Sequence, residues 1–203
     1  MHEPPRDPDA ELVRACGDPN SDAFELAFET LYTRYRDRVY GIAYRITGNS
    51  VDALDAEQEA FALLFRKISA FRFGSLFSTW LFRLVVNCSI DVVRSRCARR
   101  QAVELGSVPE HESPVGDEVD PQVSASRNEL GGFVQAALNR ISPKLRAVLA
   151  LRYLEGMSYE ELCDALGVSM GTVKSRLARA HVAMENVLRR DPVLQTHFGE
   201  VVA

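Results

Sequence analysis

Between Gln101 and Asn128 the helical periodicity that governs the rest of the chain disappears, and this gap constrains the fold more than any other feature. The segment holds three prolines (Pro109, Pro114, Pro121), and residues 101–129 carry seven acids against one arginine. Such a stretch has too little apolar surface to offset the entropy of ordering, so it reads as an acidic flexible linker. It divides the chain into an N-terminal extension (1–23), a first helical domain (24–100), the linker (101–128), a second domain (129–190) and a C-terminal tail (191–203). No alternating strand pattern occurs in either domain. The expected fold class is therefore all-α, two small helical domains joined by the linker.

Residues 24–46 place Phe24, Phe28, Leu31, Tyr35, Val39, Ile42 and Ile46 at steps of three or four, the stripe of a long amphipathic helix. Thr47-Gly48-Asn49-Ser50 is a turn cluster, and a second helix runs from Asp52 with Leu54, Phe61, Leu64 and Ile68 inward. An aromatic loop, Phe71 to Phe77, follows. Ser78 is placed to cap a third helix whose buried face is Leu81, Leu84, Val85, Cys88 and Val92. That helix ends at Arg100 in an arginine cluster, with positive charge where the helix dipole favours it.

In the second domain, Leu130, Phe133, Val134, Ala137, Leu138 and Ile141 share one helical face. Ser142-Pro143 opens the next helix with a cap residue followed by proline at the first position. Ser158-Tyr-Glu-Glu161 is a capping box, with Met157 and Leu162 as its hydrophobic staple. The short helix it opens stops at Gly167. Ser169 caps the last helix, whose inner face is Val173, Leu177, Ala180, Met184 and Val187. A short helix, a glycine turn and a second helix make a helix-turn-helix, which sets the start of its second helix against base edges in the major groove.

The charge supports a nucleic-acid partner only when read by segment. The formal net charge of -4 argues weakly against one. Yet residues 72–100 hold six arginines and one aspartate, and Gly167 to Arg190 holds five basic residues against one acid. Two basic patches with an acidic spacer suit an elongated polyanion gripped at two places, because phosphate attraction is screened over about 8 to 10 Å. The alternative for each patch is a solvated helix face. Lys174, Arg176 and Arg179 have the chemistry to read guanine or clamp phosphate; Ser169, Thr172 and Ser175 suit phosphate oxygens. In the aromatic loop, residues beside a basic helix can hold unstacked bases of a single strand. Arg72, Phe73, Ser75, Ser78 and Thr79 are the candidates there, whereas Phe77 and Trp80 read as core.

Other chemistries find no footing. Four scattered histidines, no glycine-rich phosphate loop and no nucleophile motif leave neither a catalytic site nor a small-molecule or cofactor site to expect. Four cysteines (Cys16, Cys88, Cys97, Cys163) form no C-x-x-C pair, so no metal is expected and they read as incidental thiols of a reducing cytoplasm, with a redox role for Cys97 as the alternative. No apolar run reaches the roughly 18 residues of a membrane span, and the acidic N-terminus is unlike a signal peptide. A cytoplasmic location is the expectation.

The residues then carry a resemblance. Asp52-Ala-Leu-Asp-Ala-Glu-Gln58-Glu59-Ala-Phe61, Phe77-Ser-Thr-Trp80-Leu81, Asn87 and Asp91-Val-Val-Arg94 resemble domain two of an extracytoplasmic-function (ECF) sigma factor of bacterial RNA polymerase. Ile141-Ser-Pro-Lys-Leu-Arg146, Tyr159-Glu-Glu161-Leu, Leu166-Gly-Val-Ser169 and Gly171-Thr-Val-Lys-Ser-Arg-Leu177-Ala-Arg179 resemble the family's domain four. The resemblance implies that domain two binds core RNA polymerase and opens the minus-ten promoter element, and that domain four binds the minus-thirty-five element as duplex. Asp52, Asp55, Gln58, Glu59 and Phe61 then fall on the polymerase-binding helix. Arg72, Phe73, Ser75, Ser78, Thr79, Asn87, Asp91, Arg94, Arg96, Arg99 and Arg100 fall in the minus-ten region; Asp91 has the alternative of pairing with a nearby arginine. Ser169, Gly171, Thr172, Lys174, Ser175, Arg176 and Arg179 fall in the minus-thirty-five region. The implied partners are core polymerase, promoter DNA and an anti-sigma factor, with any membrane link running only through that factor. Ala56 and Glu57 stand where the family usually has apolar residues. A stand-alone helix-turn-helix regulator is the competing reading, but it leaves the first domain without a role.

Overall fold

The computed structural model describes residues 7–104 and 125–190, which form eight α-helices and one 3-10 turn. They are α1 (Ala10–Ala15), α2 (Asp22–Thr47), α3 (Ser50–Lys67), the 3-10 turn Ile68–Ala70, α4 (Phe77–Glu104), α5 (Ala125–Asn139), α6 (Pro143–Tyr153), α7 (Tyr159–Leu166) and α8 (Met170–Arg190). No described residue lies in a strand, as the all-α reading requires. Most of the acidic linker, 105–124, and the tail 191–203 lie outside the described residues. Helix reaches into both ends of the segment read as linker. After Arg100 the run Gln101 to Glu104 offers no breaker before Gly106, so α4 continues.

Local chemistry explains most helix ends. Gly48 closes α2 in the left-handed region (φ 87°), and the Asn49 side chain accepts the Asp52 N–H to cap α3. Both halves of the Ser158–Glu161 capping box form, at 3.1 and 2.7 Å. Gly167 (φ 62°) ends α7. Ser142 occupies the cap position of α6 but its hydroxyl makes no cap bond there. Ser78 does not cap α4, which begins one residue earlier at Phe77. The Phe77 N–H is instead satisfied by the side chain of Asp7, seventy residues away.

The inner seam of α3 differs from the expected one. Leu54 is exposed, while Ala53, Ala56, Ala60 and Leu64 are fully buried at steps of three and four. Alanines carry little weight in a search for large apolar residues, yet their small size lets α3 lie close against α2 and α4. Ala56, a departure from the family pattern, is thus a seam residue. Truncating its fully buried neighbour Leu64 to alanine costs about 2–5 kcal/mol by opening a cavity in that seam.

The two domains share one core. Leu31, Ile46, Leu81 and Phe82 from the first half are continuous with Leu138, Val148, Leu151, Leu162 and Leu177 from the second. Polar clasps rim the junction. The Arg38 guanidinium donates to the Glu155 carboxylate (Nε–Oε2, 2.8 Å), and Arg45 donates to Gln135 at 3.1 Å. Asn139 donates to the Gly48 carbonyl at 3.2 Å, so close that a Cβ on Gly48 would sit 2.2 Å from its side-chain oxygen. Glycine is required there twice over, for its backbone angle and for room.

Candidate nucleic-acid interface

The first surface is built by the 3-10 turn, the loop 71–76 and the exposed face of α4. Phe71, Phe77 and Trp80 form an aromatic base under the loop, with ring centroids 5.1 to 6.2 Å apart. Phe77 is fully buried, as expected, and Trp80 is half-buried. Above this base Arg72 and Phe73 are exposed, Ser75 and Ser78 half-exposed. Asn87, Asp91 and Arg94 stand one turn apart on the outer face of α4, and Arg99 and Arg100 are also exposed. Asp91 and Arg94 pair at 3.1 Å, but both are largely in water, so the pair is worth about 1 kcal/mol at most and does not lock either group.

Two expected strand contacts are taken up by the fold instead. Thr79 is 2% exposed, its hydroxyl turned inward with no hydrogen-bond partner, so it faces the core and not a bound strand. Arg96 turns back from the arginine cluster to pair with Asp52 and to donate to the Thr47 carbonyl at 3.4 Å. That contact removes Asp52 from the exposed polymerase-binding set as well, since its carboxylate also accepts from Asn49. Phe61 is likewise core, edge-on to Tyr32 with centroids 4.6 Å apart. Asp55, Gln58 and Glu59 do face solvent on α3. Beside them lie Val51, Leu54 and Phe65, apolar and exposed; Leu54 was expected inward, and Val51 and Phe65 carried no expectation. Their signal is that they belong to a face the buried alanines leave outward.

The second surface is the turn between α7 and α8 and the first two turns of α8. Val173, Leu177 and Ala180 point inward, which turns Lys174, Ser175 and Arg179 to solvent, with Thr172 and Arg176 half-exposed. Ser169 caps α8 through the Thr172 N–H at 3.4 Å and meets the Thr172 hydroxyl at 3.0 Å. Arg179 Nε donates to the Ser175 carbonyl at 3.2 Å, which holds the guanidinium along the helix. Nothing lies within 4 Å of where a Cβ of Gly171 would be, so a phosphate backbone has close access to the helix start.

The edges of the two surfaces meet, Arg72 and Ser75 of the first lying across a cleft from Ser169 of the second. This open cleft of about 590 Å³ is lined by Arg72, Gly74 and Ser75 on one side and by Asp164, Gly167 and Ser169 on the other. Arg83 of α4 reaches across it, its guanidinium 3.4 Å from the position a Cβ would take on Gly167. Among the described residues no group of three His, Cys, Asp or Glu side chains could hold a metal, and no helix is long and apolar enough to cross a membrane.

Comparison with known proteins matches these two surfaces separately. The family model for Sigma-70 region 2 covers residues 31–99, and that for Sigma-70, region 4 covers 134–184. The ECF RNA polymerase sigma factor SigE of Mycolicibacterium smegmatis is 36% identical over 81% of this chain. The chain belongs to the ECF sigma factor family. The match spans 62% of that SigE's length, and SigW of Bacillus subtilis is 30% identical over 80% of the chain and 89% of its own. Among solved structures, CnrH in complex with the cytosolic domain of CnrY has the same fold, with a TM-score of 0.64, 23% identity and coverage of 90% and 98% of the two chains. The RpoE of Bartonella quintana, solved with the anti-sigma factor NepR, is 25% identical with a TM-score of 0.59, covering 81% of this chain and 98% of its own. The aromatic loop and α4 up to Arg99 lie within the region 2 match of the present sigma factor, and the α7–α8 turn within its region 4 match.

Proposed function

We propose that this ECF sigma factor is a non-catalytic, cytoplasmic initiation factor that docks on core RNA polymerase and reads a promoter at two places. The exposed side of α3, with Asp55, Gln58, Glu59 and the apolar Leu54 and Phe65, supplies the polymerase contact. Arg72, Phe73, Ser75 and Ser78 with Asn87, Asp91, Arg94, Arg99 and Arg100 hold the minus-ten strand; Ser169, Gly171, Thr172, Lys174, Ser175, Arg176 and Arg179 hold the minus-thirty-five duplex. The observation that carries this reading is the coincidence of the two family-model matches with two exposed basic surfaces that have different chemistry. One pairs aromatic rings with arginines, as single strands require; the other is a basic helix start, as a major groove requires.

The arrangement of the halves adds a condition. Promoter elements about 25 base pairs apart are separated by roughly 85 Å of straight duplex, whereas a compact chain of this size has a radius of gyration on the order of 17 Å. At that size this closed form cannot engage both elements. It is the resting form, and polymerase opens it. An anti-sigma factor, of the kind bound to the RpoE of Bartonella quintana, would act by holding the sigma factor away from polymerase. Run-off transcription with bacterial core polymerase, with and without the protein, on a library of genomic promoters tests the reading: new discrete start sites support it. Binding to duplex DNA that is unaffected by polymerase, with no new starts, would make the protein a stand-alone regulator.

A further inference from the structure

The loop 71–76 is held in part by the N-terminal segment. Asp7 accepts the Phe77 N–H at 2.7 Å, at the point where the loop becomes α4, and its other oxygen accepts the Asp9 N–H at 2.9 Å. Asp9 is buried, accepting from the Tyr35 hydroxyl and paired with Arg34 on α2. Val13 and Cys16 bury in the core and so seat α1. From that seat Arg14 lies over the Phe73 ring, 5.2 Å from its centroid, while Phe71 meets the same ring edge-on at 5.0 Å. Phe73 has φ 54°, a backbone conformation that a bulky residue adopts only when its surroundings enforce it, and it remains 40% exposed.

We propose that the segment Asp7–Arg14 is the positioning element of the base-reading loop: Asp7 sets where α4 begins, and Arg14 holds the Phe73 ring ready for an unstacked base. The inference rests on the reading of this loop as the minus-ten reader. A carboxylate on the first N–H of α4 keeps the loop's end in register with the helix. A guanidinium against one aromatic ring orients it without filling the space that a base takes up by stacking. Neither residue needs to touch DNA.

The test uses holoenzyme reconstituted from the full chain and bacterial core polymerase. Its template is a start site found by run-off transcription, with the minus-ten strand left unpaired and each of the four bases placed in turn at each unpaired position. Arg14→Leu and Asp7→Ala are expected to flatten the base preference roughly two- to five-fold. Arg14→Lys and Asp7→Asn should retain it, because a cation and an acceptor oxygen remain. Arg14 is exposed, so its replacement leaves folding intact. A loss equal for all four bases, with the preference unchanged, overturns the proposal, since a weakened fold alone produces that. Phe73→Ala separates the two levels of inference. If it leaves the preference intact, the loop is not the reader and the functional reading itself fails. If it flattens the preference while the Asp7 and Arg14 variants do not, only the positioning role is lost.

Discussion

Arg146 of α6 donates to the carbonyl of Ile46, one hundred residues earlier and in the last turn of α2, at 2.9 Å. Its guanidinium is buried and shared among several acceptors: the carbonyls of Ile141 (2.9 Å) and Asn139 (2.8 Å) and the Asn139 side chain (3.3 Å). Burial, and then the nearby Arg96, lower its pKa. No carboxylate accompanies it among these contacts, so what keeps a cation there is the set of carbonyls at the ends of α2 and α5. One side chain thereby ties the two halves of the chain.

Replacing Arg146 with methionine keeps apolar bulk and leaves those carbonyls without their donor. A loss of about 2–3 kcal/mol in urea unfolding is expected, with a larger radius in small-angle scattering as the halves separate. An unchanged radius would show that the shared apolar core suffices to hold the closed form.

Arg176→Ala should weaken duplex binding to the minus-thirty-five element by roughly 1 to 3 kcal/mol, together with relaxed specificity at one base pair. Arg176 is half-exposed beside the exposed Lys174 and Ser175. A fluorescence titration of holoenzyme on the wild-type element and its single-base variants checks this; a uniform loss across the variants would make Arg176 a phosphate contact.

Glu57 lies on α3 where burial, the larger influence, and Asp37 raise its pKa while Arg36 lowers it. The folded state therefore keeps the proton to higher pH than the unfolded state does. The stability this lends is present below the ordinary glutamate pKa and falls as pH climbs through the raised value. Glu57→Gln should match the wild type in acid and exceed it at neutral pH, by less than about 1 kcal/mol because the group is part-exposed. Urea midpoints from acid to neutral pH measure the difference.

Thiol reactivity should separate the cysteines. Cys88 is buried, and desolvation with nearby Glu59 and Asp91 pushes its pKa to about 11; burial also raises that of Cys16. Cys97 is exposed. Iodoacetamide at neutral pH should label Cys97 well before Cys88 and Cys16, as read by peptide mass spectrometry. Labelling of Cys88 at the same rate would mean that the α3–α4 seam opens readily.

Much of the local architecture was legible. The stripe from Phe24 to Ile46, the Asn49 turn, the Ser158–Glu161 box and the Gly167 stop each depend on residues a few positions apart, and they formed where the spacing places them. The outward set on α8 was equally readable, because Val173, Leu177 and Ala180 leave only one face for its charges. Misreadings arose where small or charged residues act at a distance. Leu54 looks like core until the alanines at 53, 56 and 60 are seen to form the seam. Asp52 and Arg96 look like two contact residues, forty-four positions apart, until they are seen to meet each other.

What the sequence determined by itself, then, was the helices from α2 to α8, the Ser158 and Ser169 caps, the chemistry of two basic surfaces and the family, since each is encoded within a run of some tens of residues; α1, inside the segment read as an N-terminal extension, was not among them. Only the tertiary structure decided that the loop 71–76 and the α7–α8 turn border one cleft, that Arg146 joins the halves and that Asp7 caps α4. Those contacts join positions 70 to 100 residues apart, and which of many exposed polar groups meet is settled by how the apolar faces pack, not by any local pattern.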